Sequence, residues 1–150
     1  MAKRKERLPV VFDTSLIITR FIRHERHGVN RRVIDLWQTS RQLQLIVSPP
    51  IVAEYLYALE HYAKISVVRV RFFGQRLELN SNVTRINLGT RFLLSRDPKD
   101  NIFLETAHTG KAKFLITRDR DLLEIPKEEL KGFRFEIVTP FEFLRKIGEI

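Results

Sequence analysis

The stretch that decides the fold is LPVVFDTSLII, residues 8–18. Its first five residues carry no polar side chain, and an apolar run without alternation is typical of a parallel strand buried on both faces. The run stops at Asp13, and a helical pattern begins with Thr14 and Ser15, whose hydroxyl groups suit a helix start. We predict a central strand that places Asp13 at its carboxyl end, the sheet edge where α/β proteins bind ligands. Taken alone, Asp13 is more simply a helix cap.

Further strand and helix patterns follow along the chain. Strands are predicted at residues 43–47, 83–88, 113–117 and 133–138. Helices are predicted at residues 15–23, 31–40 and 64–79, and three further helices are predicted to start at Ser48, Asp97 and Thr139. Segment 64–79 is rich in valine and phenylalanine, which favour a strand, but its length between turn signals favours a helix, and a helix is predicted. With a short helix after the strand at 113–117, the order becomes βααβααβαβαβα.

This order predicts an α/β fold, a three-layer α/β/α sandwich with a central parallel sheet. The chain has 150 residues, 43% of them hydrophobic, which suits one domain over residues 1–150 with a basic tail at residues 1–7. No linker, repeat or low-complexity segment interrupts the pattern.

Composition excludes several classes of protein. There is no cysteine for disulfides or thiolate metal sites, and no apolar run approaches the roughly 20 residues of a membrane span. The amino terminus lacks the apolar segment of a secretory signal, so we expect a cytoplasmic protein. The net charge of +9 and the pI near 10.3 favour a polyanionic partner, with nucleic acid the leading candidate.

The motif RDPKDNIFLETA, residues 96–107, carries the strongest local signal. Asp97 before Pro98 is typical of a helix start, which places Asp100 one turn inside the helix. Asp100 then shares a face with Phe103 and Leu104, three and four residues further on. Because a carboxylate on an apolar face is costly, this one needs a cation, a hydrogen-bond donor or a metal.

Three other acids are predicted to reach the same edge of the sheet. Asp13 and Asp119 follow strands, and Glu54 is placed in the first turn of the helix that Ser48 can cap. The alternative for Glu54 is an exposed partner of the helix dipole. Converging carboxylates repel one another unless hard cations hold them, and Mg²⁺ or Mn²⁺ would suit oxygen ligands. Such a site can activate water and stabilise the oxygens of a phosphoryl displacement.

Five motifs in this order resemble the PIN domain family. They are VVFDTS (10–15), IVAEYL (51–56), RDPKDNIFLETA (96–107), FLITRDRDLL (114–123) and IVTPFEFL (137–144). The resemblance covers nearly the whole chain and is closest to the VapC-like toxins of toxin-antitoxin systems. Ser15 stands where the family often has asparagine.

The resemblance implies an endoribonuclease that depends on Mg²⁺ or Mn²⁺. Its catalytic and metal-binding acids would be Asp13, Glu54, Asp100 and Asp119, with Asp121 as an extra ligand and Ser15 and Thr117 in support. It also implies RNA as substrate, a cognate antitoxin protein and a homodimer. Between the motifs lie Arg69, Arg71, Arg76 and Arg91, which are either residues of an RNA groove or solvated charges; Arg69 and Arg76 are the RNA-binding candidates.

Other functions fit parts of the pattern. A PIN nuclease of RNA processing would have the same sequence features as a toxin. A receiver-like phosphoacceptor domain also gathers acids around Mg²⁺, but its acids and lysine follow the strands in a different order. A non-catalytic RNA-binding module would explain the charge, although four carboxylates at the binding edge would repel RNA.

Overall fold

The computed structural model describes residues 6–22, 28–89 and 98–150. Five strands occur there: β1 (Leu8–Phe12), β2 (Leu43–Val47), β3 (Val83–Arg85), β4 (Phe114–Ile116) and β5 (Glu136–Val138). The helices are α1 (Thr14–Thr19), α2 (Val29–Gln38), α3 (Pro49–His61), α4 (Val67–Leu79), α5 (Asn101–Thr109), α6 (Arg120–Leu123) and α7 (Pro140–Lys146). A 3-10 turn, Pro98–Asp100, precedes α5. The predicted order of strands and helices is confirmed.

The strands form one parallel sheet in the order β3-β2-β1-β4-β5. β1 lies at the centre, with Val10 opposite Leu45 of β2 on one side and Phe114 of β4 on the other. Val10 and its neighbour Val11 point to opposite faces, and both are fully buried, so helices cover both faces of the sheet. The predicted α/β class with a central parallel sheet is confirmed.

The sheet order positions the ligand-binding edge. The chain adds β2 and β3 on one side of β1 and then returns to add β4 on the other side. This reversal is a topological switch point, where the loops after two neighbouring strands leave in different directions and open a crevice. The segments that begin at Asp13 and at Thr117 therefore lie side by side.

The ambiguous segment at residues 64–79 contains helix α4. Ser66 caps it by accepting a hydrogen bond from the Arg69 amide (3.4 Å). Val70, Phe73 and Leu77 are buried at helical spacing, which explains why a sequence with local strand character folds as a helix.

Several predicted boundaries were wrong. Helix α1 ends at Thr19, before the predicted residue 23, and the strands predicted at 83–88 and 133–138 each contain only three paired residues. Both short strands lie at the edges of the sheet, where each has only one neighbouring strand with which to form backbone hydrogen bonds. The predicted cap Asp97 and the basic residue Arg91 lie outside the described residues.

Three predictions about helix starts are corrected. Ser48 makes no capping hydrogen bond to α3; its hydroxyl pairs instead with that of Thr106 on α5 (2.8 Å). Glu54 lies in the second turn of α3 and not in the first, because the helix begins at Pro49. Asp100 likewise precedes α5, in its N-cap position, and does not lie one turn inside it.

None of the helices in these described segments is long and apolar enough to cross a membrane.

Candidate metal centre

Asp13 is the central side chain of the site. It follows β1 directly, caps α1 and is only 6% exposed. One carboxylate oxygen accepts hydrogen bonds from the Ser15 hydroxyl (2.6 Å) and the Leu16 amide (3.3 Å). The other accepts from the Thr117 hydroxyl and from the Arg118 amide (3.3 Å). Asp13 is therefore a helix cap, and its other oxygen is tied to the segment that follows β4.

The turn after β4 is ordered by the same contacts. The buried Thr117 hydroxyl donates to Asp13 and accepts from the Asp119 amide (2.9 Å). Asp119 in turn caps α6 by accepting from the Asp121 amide (2.9 Å). A single threonine hydroxyl thus links the acids that follow two neighbouring strands, β1 and β4.

Asp100 reaches the site from the 3-10 turn that precedes α5. Helix α5 packs against β1, β2 and β4, and its start holds Asp100 at 9% exposure beside the buried Phe103. Asp100, Asp119 and Asp121 each offer a carboxylate oxygen, and these oxygens all lie within 4.8 Å of one another. Ligands on opposite sides of an Mg²⁺ ion are about 4.2 Å apart, since each lies about 2.1 Å from it. Small side-chain rotations would therefore bring all three acids onto one ion.

Glu54 completes the set of acids. It lies on α3, which packs against α1 and α5. A cleft of about 320 Å³ is lined by Asp13, Thr14, Ser15, Glu54, Asp100, Phe103, Arg118 and Asp119. The structure therefore brings the four predicted acids to one cleft, with Asp121 beside two of them. Among the described residues of the cleft, the acidic donors are carboxylates and no histidine joins them, which suits hard divalent cations.

Tyr55 is a residue that the sequence marked only as part of an apolar stripe. It is fully buried behind the cleft, and its hydroxyl donates to the Phe12 carbonyl, next to Asp13. Burial, together with the charges of Asp13 and Glu54, raises the pKa of Tyr55 well above its ordinary value. Tyr55 therefore remains a neutral donor that holds α3, and Glu54 with it, against the end of β1.

Three cleft residues, Thr14, Phe103 and Arg118, had no predicted role at the site. The sequence places Phe103 on the apolar face of α5, three residues after Asp100. This spacing could have predicted that the ring lies beside the acid. Arg118 contributes its backbone amide, which donates a hydrogen bond to Asp13. A pattern of side chains in the sequence does not predict such a backbone contact.

The two predicted RNA-binding residues lie elsewhere. Arg69 and Arg76 are on α4 and line a separate pocket with Arg20. Arg71 is exposed on the same helix and does not line that pocket.

Known proteins share the sequence pattern and the fold of this chain. The family model for the PIN domain matches residues 9–121. The uncharacterized protein MJ1680 of Methanocaldococcus jannaschii is 26% identical over 153 aligned positions, which cover 95% of this chain and 93% of that protein.

Two solved structures share the fold. One is Mycobacterium tuberculosis VapC20, described as a sarcin-ricin loop cleaving toxin, with a TM-score of 0.55 and 15% identity over 83% of this chain and 95% of that one. The other is VapBC2 of Rickettsia felis bound to a DNA fragment from its promoter, with a TM-score of 0.52 and 12% identity. That match covers 88% of this chain and 98% of the other. The family model covers well over half of the sequence, and the chain therefore belongs to the PIN domain family.

Proposed function

We propose that this protein is an endoribonuclease that depends on Mg²⁺ or Mn²⁺. The observation that carries the proposal is the convergence of Asp13, Glu54, Asp100 and Asp119 on one cleft at the carboxyl edge of the sheet. In this proposal those four acids and Asp121 hold the metal, while Ser15 and Thr117 orient Asp13 through their hydroxyl groups. A non-catalytic RNA-binding module would not be expected to gather four acids at its binding edge.

The chain's own groups determine how the site would work. A divalent ion, when bound, lowers the pKa of water and offsets the charge of phosphoryl oxygens. The hydrogen bonds on both oxygens of Asp13 fix the orientation of its carboxylate before any ligand binds. The side chain therefore does not need to reorient during the reaction. Asp100 and Asp119 line the same cleft with carboxylate oxygens within 4.8 Å of each other, so a phosphodiester that enters would meet both acids.

The substrate class follows from charge. The chain carries a net charge of +9 although its cleft is acidic, so the excess of positive charge lies outside the catalytic edge. A polyanion would be attracted to the basic surface, including Arg69 and Arg76, and its scissile phosphate could then approach the acids only with a cation between them. RNA bound by its backbone meets this description.

The likeness to VapC20 and VapBC2 supports a narrower proposal. The protein would be the toxin of a toxin-antitoxin pair, acting in the cytoplasm as a homodimer and held inactive by a cognate antitoxin protein. Membership of the PIN family and likeness to a protein described as a toxin support this proposal.

Cleavage of a labelled single-stranded RNA tests the proposed activity. We expect cleavage in Mn²⁺ or Mg²⁺, none in EDTA, and a loss of at least about 100-fold for Asp119→Asn, since this variant lacks one of the proposed metal ligands. Asp35→Asn is the matched control, because Asp35 is an exposed acid on α2 whose side chain pairs with Arg31 (3.6 Å). Equal cleavage by the parent and Asp119→Asn, or undiminished cleavage in EDTA, would refute the proposal.

A further inference from the structure

A second cavity of about 270 Å³ lies between the end of α1 and one face of α4. We call it the arginine–phenylalanine pocket; it is lined by Arg20, Phe21, Arg69, Phe72, Phe73 and Arg76. The four residues from α4 follow one another at spacings of three, one and three, so they share one side of the helix. The pocket is slightly smaller than the 300–1,000 Å³ typical of small-molecule sites, which suits part of a nucleotide better than a large enclosed ligand.

Three arginines give the pocket a positive charge, and no acid is among the described residues that line it. The Arg20 guanidinium is held in place by a hydrogen bond to the Gln38 side chain (2.8 Å) and lies 4.8 Å from the centre of the Phe21 ring. Burial, and then the charges of Arg76, Arg31 and Arg69, lower the pKa of Arg20 to about 10. Of the ion pairs found among the described residues, none includes Arg20, Arg69 or Arg76. A bound anion would relieve this repulsion.

The pocket also presents an aromatic surface to solvent. Phe21 and Phe73 meet edge to face at 5.4 Å and form the inner wall, with Arg69 5.2 Å from the centre of the Phe21 ring. Phe72 is 64% exposed, although exposing a phenylalanine ring is unfavourable in water. An exposed ring beside arginines is the arrangement on which unpaired bases stack while phosphates meet guanidinium groups.

Helix α1 connects this pocket to the metal centre. Asp13 caps the start of α1 and Arg20 caps its end. At 1.5 Å per residue, the seven residue steps between them correspond to about 10 Å along the helix axis. Successive phosphates of one stacked strand advance about 3.4 Å, so the two positions are roughly three nucleotides apart.

We propose that the arginine–phenylalanine pocket binds one unpaired nucleotide of a single-stranded RNA, its phosphate against Arg69 and Arg76 and its base on Phe72, a few nucleotides from the phosphate at the acidic cleft. The proposal deepens the proposed ribonuclease function and rests on it for the identity of the substrate. It predicts that the enzyme prefers single-stranded RNA, because a paired and stacked base cannot reach the Phe72 ring.

An acidic segment of a partner protein is the competing occupant. Carboxylates could also pair with these arginines. RNA is favoured because one nucleotide offers both a phosphate for the guanidinium groups and a flat base for the exposed Phe72 ring, whereas carboxylate side chains can pair with the arginines but cannot stack on the ring.

Binding of labelled oligonucleotides, measured by fluorescence anisotropy in EDTA, tests the pocket without cleavage. We expect Phe72→Ala to weaken binding of a short oligo(A) about 5- to 100-fold and to leave binding of a duplex RNA unchanged. Arg69→Gln and Arg76→Gln should each reduce the slope of log affinity against log salt by about 0.7. The controls are Phe141→Ala, a ring on α7 that is 50% exposed, and Arg71→Gln, an arginine of α4 outside the pocket.

Two results would overturn the proposal. The first is oligo(A) binding by Phe72→Ala within twofold of the parent, with the variant's melting temperature unchanged. The second is a loss of binding to a peptide of alternating glutamate and leucine in Phe72→Ala and Arg69→Gln while oligo(A) binding is retained, which would assign the pocket to a protein partner. Because this assay needs no metal or catalysis, a failure of the pocket can be distinguished from a failure of the nuclease assay.

Discussion

Replacing Asp100 with asparagine should make the metal-free protein more stable while weakening its response to metal. Asp100 offers a carboxylate oxygen within 4.8 Å of those of Asp119 and Asp121. Asn keeps the shape of the side chain and removes one negative charge. Asp100 also occupies the N-cap position of α5 without a capping hydrogen bond from its side chain, and the asparagine oxygen can keep part of the other interactions that Asp100 makes. Asparagine is itself well suited to that position.

The size of the effect follows from Coulomb's law. Two unit charges 4.8 Å apart repel by about 0.9 kcal/mol in water and about 3.5 kcal/mol at an effective dielectric constant of 20. Removing Asp100 relieves two such pairs, but side-chain rotation already relieves part of the repulsion, and the helix dipole favours Asp by about 0.3–1 kcal/mol. We therefore expect a net gain of about 1–3 kcal/mol in EDTA at low salt. For a chain of this length that gain is a rise in melting temperature of about 2–12 °C.

Thermal unfolding in EDTA and in Mn²⁺, at low and high salt, measures both effects. Mn²⁺ at a hundred times its dissociation constant should stabilise the parent by about 2.7 kcal/mol and the variant by much less. The difference in EDTA should shrink at high salt, because screening weakens repulsion between partly exposed charges. Asp35→Asn should show neither effect. A variant that melts well below the parent in EDTA, with no response of the parent to Mn²⁺, would show that Asp100 is a structural acid and refute the reasoning.

Two further substitutions test how the site is supported. Thr117→Val removes a buried hydroxyl that bonds both the Asp13 carboxylate and the Asp119 amide; we expect a loss of about 1–3 kcal/mol in stability and of 10- to 100-fold in Mn²⁺ affinity. The exposed Ser15, which makes a single bond to Asp13, gives the matched control Ser15→Ala with smaller effects on both. Tyr55→Phe removes the donor to the Phe12 carbonyl and should cost about 1–2 kcal/mol at neutral pH. Because the folded-state pKa of Tyr55 is raised above its ordinary value of 10.0, its proton stabilises the fold below that pH, and this contribution is lost as pH rises further. Above pH 10 the parent's free energy of unfolding should therefore fall more steeply than that of Tyr55→Phe, and parallel curves would contradict the raised pKa of the buried Tyr55.

The central part of the fold could be predicted because its signals are local. The unbroken apolar run before Asp13 predicts a strand buried on both faces, and β1 is that strand. Its neighbours follow from the same pattern, and parallel pairing then places Asp13 and the turn of Asp119 at one edge. The acids could be grouped before the structure was known because strand ends in a parallel sheet meet at the same edge.

The features that sequence reasoning missed depend on contacts between distant segments. The Ser48 hydroxyl binds Thr106, 58 residues away, and this contact replaces the local cap that its position suggested. The Tyr55 hydroxyl finds the Phe12 carbonyl only because α3 crosses the end of β1. The arginine–phenylalanine pocket arises where α1 meets α4, and neither helix alone indicates that Phe21 and Phe73 touch.

The most direct test of the central claim is the chemistry of the ends that cleavage produces. If the acids of the cleft hold a divalent cation and direct water at the phosphodiester, RNA cut by this protein in Mn²⁺ should carry 5′-phosphate and 3′-hydroxyl ends. Asp13→Asn, purified in the same way, should produce no such ends. Products with cyclic 2′,3′-phosphate ends, formed equally in EDTA, would show that the 2′-hydroxyl is the nucleophile and would contradict the four-acid metal site.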